Sequence, residues 1–208
     1  MEDNGIRRLR NHTYVAFKNS DDKIIALYAD KLFSPLHTWY YSPFIYNDKE
    51  FRYAEIAIQY SKAVLFNDMS TAKQMRHCED SKKLANLAAK INDFDEEIWN
   101  QNSEEIVYDI MKRKFKKRIR WLLRTNDSYL AILEKYVDSA LSNDWYINIE
   151  MDNITLNNFT NLEKYGKNLL GKTIMRIRDE FRTKYQPIEE LHLNTFDPLI
   201  NTLKECQL

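Results

Sequence analysis

The sequence predicts an α+β fold, mostly helical and built as a single domain with a small antiparallel sheet, on three observations. Its 208 residues include 3 Gly and 4 Pro, where an average composition gives roughly fifteen glycines. So few breakers argue against an all-β sandwich or barrel and against Gly-rich linkers. Strand-like segments are confined to the first quarter, and beyond residue 51 apolar residues recur mainly at helical spacing. The length suits one domain with a sizeable core.

The elements follow in order. TYVAF at 13–17 and KIIALYA at 23–29 flank the polar NSDD at 19–22 and form a hairpin pattern. YYSPFIY at 40–46 runs to the turn pair Asn47-Asp48 before KEF and gives a third strand. FRYAEIAIQYSKAVLF (51–66) is apolar on most of its circumference, as a helix in a domain core is. Ser70 is placed to cap a second helix over 70–91, with Leu84, Leu87, Ala88 and Ile91 on one face. Asp93 and Glu96 form a capping box for a third, whose stripe is Trp99, Ile106, Ile110, Phe115, Ile119 and Leu122. SYLAILEKYVDSAL (128–141) reads as a fourth helix, and the Asn-rich stretch 146–164 as a long loop or insertion. LLGKTIMRIRDEF (169–181) sets Leu170, Ile174, Ile177 and Phe181 on one face of a fifth helix. The tail from 183 ends in a short amphipathic piece, so residues 1–182 form the expected domain and 183–208 a C-terminal helical extension.

Lys plus Arg and Asp plus Glu are both 31, so electrostatic specificity must come from local patches. The two cysteines, Cys78 and Cys206, are too few for a disulfide framework or a cysteine metal site, which makes a reducing cytoplasm the expected compartment. No apolar run approaches the ~18 residues of a membrane span, and MEDNGIRRLR lacks the apolar core of a secretion signal. His12, His37, His77 and His192 have no metal-ligand spacing.

GKNLLGKT at 166–173 satisfies the phosphate-loop pattern through Gly166, Gly171, Lys172 and Thr173. Its context does not: the preceding NNFTNLEKY is polar, and 35 residues after Thr173 cannot complete a parallel sheet. The segment reads instead as a helix N-terminus with Gly166, Lys167 and Asn168 just ahead of it. That is either an anion site or a plain cap in which Gly166 takes an unusual backbone angle and Gly171 permits close packing. Glu55 lies in the most apolar helix with Gln59 and Lys62 on its face. On a pocket wall such a carboxyl suits acid/base work, since desolvation tightens its hold on a proton and a lysine opposes this. The alternative is a self-satisfied polar stripe. KRKFKKRIRWLLR (112–124) is expected to be a solvated face, with phosphate or RNA binding as the alternative.

Taken together, LFSPLHTWYYSPFIYNDKEFRYAEIAIQYSKAVLFND (32–68), INDFDEEIW (91–99), Lys114-Phe115 with WLLRTNDSYL (121–130), and YGKNLLGKTIMRIRDEF (165–181) resemble the NADAR (YbiA-like) family of N-glycosidases. The family closes with G-[KE]-N-x-L-G-x-x-[LIM]-M-x-[VIL]-R, which covers the glycine pair without any triphosphatase. The resemblance implies a YbiA-like fold and hydrolysis of a bond between ribose C1 and nitrogen, with no metal or cofactor. It implies either a ribosylamino-pyrimidine phosphate of riboflavin synthesis as substrate, which is preferred, or ADP-ribose on guanine in nucleic acid. A non-catalytic ligand- or RNA-binding module is the reading from another class.

Residue by residue, the resemblance makes Glu55 the catalytic glutamate and Trp99 an active-site tryptophan, with Lys62 on the substrate side. Gly166, Lys167 and Asn168 become the substrate loop. Trp99 and Trp145 are the aromatic walls for a flat leaving group. The chain has Ala54 and Ile56 where the family flanks its glutamate with serine and histidine, and Tyr146 where it has glycine after tryptophan. With Ser142 at the usual acidic offset, Asp144 is the expected second carboxylate and Asp138 the alternative.

Overall fold

In a computed structural model of the chain, the first two apolar segments form β2 (Tyr14–Lys18) and β3 (Ile24–Tyr28), paired antiparallel with Tyr14 opposite Tyr28. The structure describes the backbone of residues 7–10, 14–18, 24–28 and 143, and the backbone and side chains of 34–123, 125, 129–132, 141, 144–148 and 161–185. A strand the sequence pattern does not announce, β1 (Arg7–Arg10), pairs antiparallel with β2, Arg7 opposite Lys18. RRLR is too short and charged to alternate, so pairing with the edge of β2 decides its conformation.

The far side of this sheet corrects the fourth predicted helix. Residues Tyr129–Ala131 are a strand, β6, parallel to β3 with Ala26 opposite Leu130. The sheet order is β1-β2-β3-β6, and the sheet is mixed rather than purely antiparallel. Leu130, Ala131 and Ile132 are wholly buried, and a short apolar run has no period that separates a buried strand from a helix. Residues 133–140, the remainder of that predicted helix, lie outside the described residues, and so does most of the predicted loop at 146–164.

β4 (Phe44–Tyr46) and β5 (Lys49–Phe51) make a separate antiparallel hairpin. Its turn residues Asn47 and Asp48 both have positive φ, at 47° and 57°, the arrangement of a two-residue turn that follows strand twist. The hairpin leads directly into α1 (Ala54–Leu65), where Ala54 through Tyr60 are all buried. Ala57 and Ala63, fully covered, keep the helix thin enough for neighbours on several sides. α1 packs on α2 (Met69–Arg76) and on α4 (Glu96–Lys116).

The single helix expected over 70–91 is two. Asp68, not Ser70, caps α2 by accepting the Thr71 N–H at 2.9 Å, and its second oxygen accepts the Asn92 N–H at 3.1 Å. These bonds hold the Asp68 carboxyl below the usual carboxylate range, the Thr71 contact foremost. Asp80 stops the chain after α2 and caps α3 (Ser81–Ala88) through the Lys83 N–H at 2.7 Å. An aspartate that competes for backbone amides makes a cap where a uniform period suggests continuity. Likewise Asp95, rather than Asp93, caps α4, accepting the Ile98 N–H at 3.0 Å. Ile119 and Leu122 belong to a separate short helix, α5 (Ile119–Leu123). The last helix, α6 (Leu169–Tyr185), buries Leu170, Ile174, Ile177 and Phe181 as the spacing predicts. It packs against α4 and β6 and runs past residue 182. Residues 186–208, most of the predicted extension, lie outside the described residues. Among the described residues no helix is long and apolar enough to cross a membrane.

Candidate active site

Glu55 stands in the first turn of α1, a helix whose N-cap residue, Tyr53, contributes no side-chain cap. The Glu55 N–H donates instead to the Thr38 carbonyl at 3.2 Å. The Glu55 side chain is at the molecule's interior, 1% exposed, and Gln59 one turn on donates to its Oε1 at 3.5 Å. Lys62, a further turn along the same face, has its ammonium 4.0 Å from the Phe94 ring centre and 5.3 Å from that of Trp99. Trp99, buried in the first turn of α4, is thereby brought to the α1 stripe. Burial pushes the Lys62 pKa below its ordinary value, with Glu96 opposing the shift. The aromatic faces supply part of the stabilisation that water would give this cation.

Phe94 is a member of this group that the sequence reading missed. It packs edge-on against Phe66 with 5.2 Å between ring centres and is 42% exposed. An aromatic residue left out of the helical stripe, just ahead of the α4 cap, was the available signal.

A second group forms around the start of α6. Asp144, in the one-turn 3-10 helix Asn143–Trp145, pairs with Lys167 at 2.8 Å. Both are solvated, at 50% and 67% side-chain exposure. Trp145, predicted as an aromatic wall, is a core residue at 2% exposure, and with the buried Tyr146 it anchors the turn that carries Asp144. Gly166 has φ +149°, and a Cβ there would lie 2.0 Å from the Tyr146 carbonyl oxygen. At Gly171 a Cβ would lie 2.0 Å from the Leu130 oxygen and 2.5 Å from the Asn168 amide. Both glycines are therefore required where they stand, as the unusual-angle and close-packing expectations hold.

Asn168 is fully buried, and the described structure commits its side chain to the sheet edge. Its Nδ2 donates to Leu130 O at 2.8 Å and Tyr129 Oη at 3.1 Å, and its Oδ1 accepts the Ile132 N–H at 3.0 Å. It acts as a strut between β6 and α6. Lys167, beside it, is the exposed donor of the predicted substrate loop. The phosphate-loop pattern has no structural counterpart: a 3-10 turn, Leu162–Tyr165, precedes Gly166, and Lys172 pairs with Glu163 at 3.0 Å.

The basic run at the end of α4 is exposed at Arg113, Lys116, Lys117 and Arg120, as a solvated face is, but not throughout. Lys114 is wholly buried and donates to the His37 carbonyl. Lys117 donates to Pro43 O at 3.2 Å, and Arg118 donates to Ser42 Oγ at 3.4 Å and lies 4.9 Å from the Tyr40 ring centre. Period alone missed this, because a lysine inside a charged run carries no local mark of burial. Lys112 pairs with Glu180 at 2.6 Å.

Among the described residues no group of three or more His, Cys, Asp or Glu is placed to hold a metal ion. A cleft of about 310 Å³ is lined by Glu50, Arg52, Ile56, Arg76, His77 and Glu79. It contains none of the sequence-predicted site residues. Asp138 lies outside the described residues.

Comparison with known proteins bears on all of this. Residues 26–182 match the NADAR domain model. An N-glycosidase, R617 of Acanthamoeba polyphaga mimivirus, is 30% identical over 140 residues, spanning 64% of this chain and 78% of that protein. The solution structure of the E. coli protein YbiA superposes with a TM-score of 0.58 at 17% identity, covering 82% of this chain and 91% of YbiA. At that identity the match speaks for the fold alone.

Proposed function

The chain belongs to the NADAR domain family, and from that premise we propose that it is an N-glycosidase hydrolysing the bond between ribose C1 and nitrogen in ribosylamino-pyrimidine phosphates. The observation that carries the reading is the α1 face itself. A buried carboxylate at Glu55, an amide at Gln59 and a partly desolvated ammonium at Lys62 stand in line, with the Trp99 indole against the ammonium.

The chemistry follows from what C1–N cleavage needs. As the bond lengthens, positive charge builds on the ribose ring, and a carboxylate in a water-poor setting stabilises it far better than one in bulk water. Glu55 is given that role. Asp144 is given the activation of the attacking water, the task of a second carboxylate in glycoside hydrolysis. The leaving pyrimidine is flat; Phe94, 42% exposed beside Lys62, offers the accessible aromatic face, with the buried Trp99 behind the same ammonium. The phosphate calls for cations, which Lys62 and Lys167 supply, the latter at the N-terminal end of α6 where free amides add to the attraction. Gly166 and Asn168 hold Lys167 in place.

The balanced charge, 31 Lys plus Arg against 31 Asp plus Glu, favours the small substrate over ADP-ribosylated nucleic acid, and part of the basic run is committed within the fold. Lys114, Lys117 and Arg118 are spent on residues 37–43 and Lys112 on Glu180. Arg113, Lys116 and Arg120 of the same run are exposed and are the cations that a nucleic-acid substrate would use. The test is to incubate the protein with a ribosylamino-pyrimidine phosphate and, separately, with guanine-linked ADP-ribose in DNA, following free base by chromatography. Release from the first, abolished by Glu55→Gln, is expected. Release from the second alone overturns the substrate assignment, and release from neither favours a binding module.

A further inference from the structure

Residues 37–43 form neither helix nor strand, yet His37, Thr38 and Ser42 are buried. Their backbone is held by short-range bonds, His37 N–H to Ser34 O at 3.0 Å and Tyr40 N–H to His37 O at 3.2 Å. The Ser42 N–H reaches Arg52 O at 3.0 Å. Two neighbouring peptides of this loop face different helices. The His37 carbonyl takes the Lys114 ammonium from α4, and the Thr38 carbonyl takes the Glu55 N–H of α1.

Burying an amine completely is costly, and a methionine would fill the same space without that cost. Lys114 is 0% exposed, and burial, aided by Arg118, pushes its pKa well below the usual lysine value. What Lys114 provides that an apolar side chain does not is a donor to the loop. Lys117 and Arg118 fasten the same loop further along, at Pro43 and Ser42.

We propose that Lys114 is a positioning residue for the Glu55 chemistry: its donation to the His37 carbonyl orients the loop so that the adjacent Thr38 carbonyl holds the first turn of α1, and with it Glu55. This rests on the reading of Glu55 as the reacting carboxylate. A clasp of this kind acts on the geometry of the reacting group and leaves the phosphate contacts at Lys62 and Lys167 alone.

The experiment compares Lys114→Met, which keeps the volume and loses the donor, with Lys114→Gln, which keeps a donor. Lys114→Met should lower kcat for ribosylamino-pyrimidine phosphate hydrolysis roughly tenfold to a hundredfold, the cost of a small misplacement, with KM changed less than about twofold. Lys114→Gln should recover part of that loss. Hydrogen–deuterium exchange of the amides at 54–57 should quicken in Lys114→Met and less so in Lys114→Gln. If Lys114→Met does not fold, Lys114→Gln carries the test through its kcat against KM and its exchange at Glu55. Wild-type kcat and exchange in the folded variant, or equal losses in both variants with a raised KM, overturn the clasp. Glu55→Gln separates the two readings: its retaining full turnover sinks the active-site assignment, whereas an inactive Glu55→Gln beside a fully active Lys114→Met sinks the positioning role only.

Discussion

The head of α1 and the group gathered at the start of α6 each include a proposed catalytic carboxylate, and they are built on opposite plans. Glu55 is 1% exposed, with its main chain held by the Thr38 carbonyl. Asp144 is half exposed and held by Lys167. At the first site the position of the carboxylate is over-determined by the core around it. At the second, the side-chain pair is solvated and worth about 0–1 kcal/mol, and what is over-determined is the backbone beneath it, through Gly166, Gly171 and Asn168. The difference teaches that α1 fixes, through burial, the carboxylate proposed to react, whereas the start of α6 fixes a platform and leaves its charges free to exchange one partner for another.

That contrast can be broken at four points. The largest effect is expected from Glu55→Gln, which should lower turnover by about a thousandfold or more, read as free base released per unit time with circular dichroism to verify the fold. Next is Gly171→Ala, which should destabilise the protein by about 3 kcal/mol as the Cβ is driven into the Leu130 carbonyl. A urea midpoint within error of wild type would show that the platform yields. Asp144→Asn should cost about a hundredfold in kcat while stability moves by less than about 1 kcal/mol, because only a solvated pair is lost. Turnover unaffected by that change would pass the second-carboxylate role to another residue.

The smallest effect concerns Lys62. Its folded pKa is lowered by burial beneath the unfolded value of 10.5, so between those two values the unfolded chain binds a proton that the folded chain lacks. Stability therefore rises with pH through that window and levels off above it. Lys114 contributes with the same sign. Lys62→Met should flatten part of this rise in urea midpoints measured across the window. For the same reason KM for a phosphate-bearing substrate should climb at a lower pH than an ordinary lysine dictates.

Much of this was legible in the sequence where the signal is local. Glu55, Gln59 and Lys62 share a face because they are spaced at helical intervals, and α1 forms where that spacing places them. Gly166 and Gly171 announce themselves in a chain with three glycines, and both stand where a Cβ would collide. The boundaries were less legible, since Asp68, Asp80 and Asp95 each capture an amide three residues on, and several nearby residues present equal capping chemistry. Phe94 escaped because its partner, Lys62, is thirty-two positions earlier in the chain.

By itself, then, the sequence determined the α+β class, the α1 stripe that carries Glu55, and the glycine-framed start of α6. Only the tertiary structure decided that 129–131 is a strand, that Lys114 lies inside, and that Asp144 faces Lys167. The physical reason is range. Helical period, capping chemistry and the need for a missing Cβ act between residues a turn apart, and so are written locally. Strand pairing, desolvation and ion pairing depend on which distant segment arrives, as β3 does beside Leu130 and the His37 carbonyl does above Lys114.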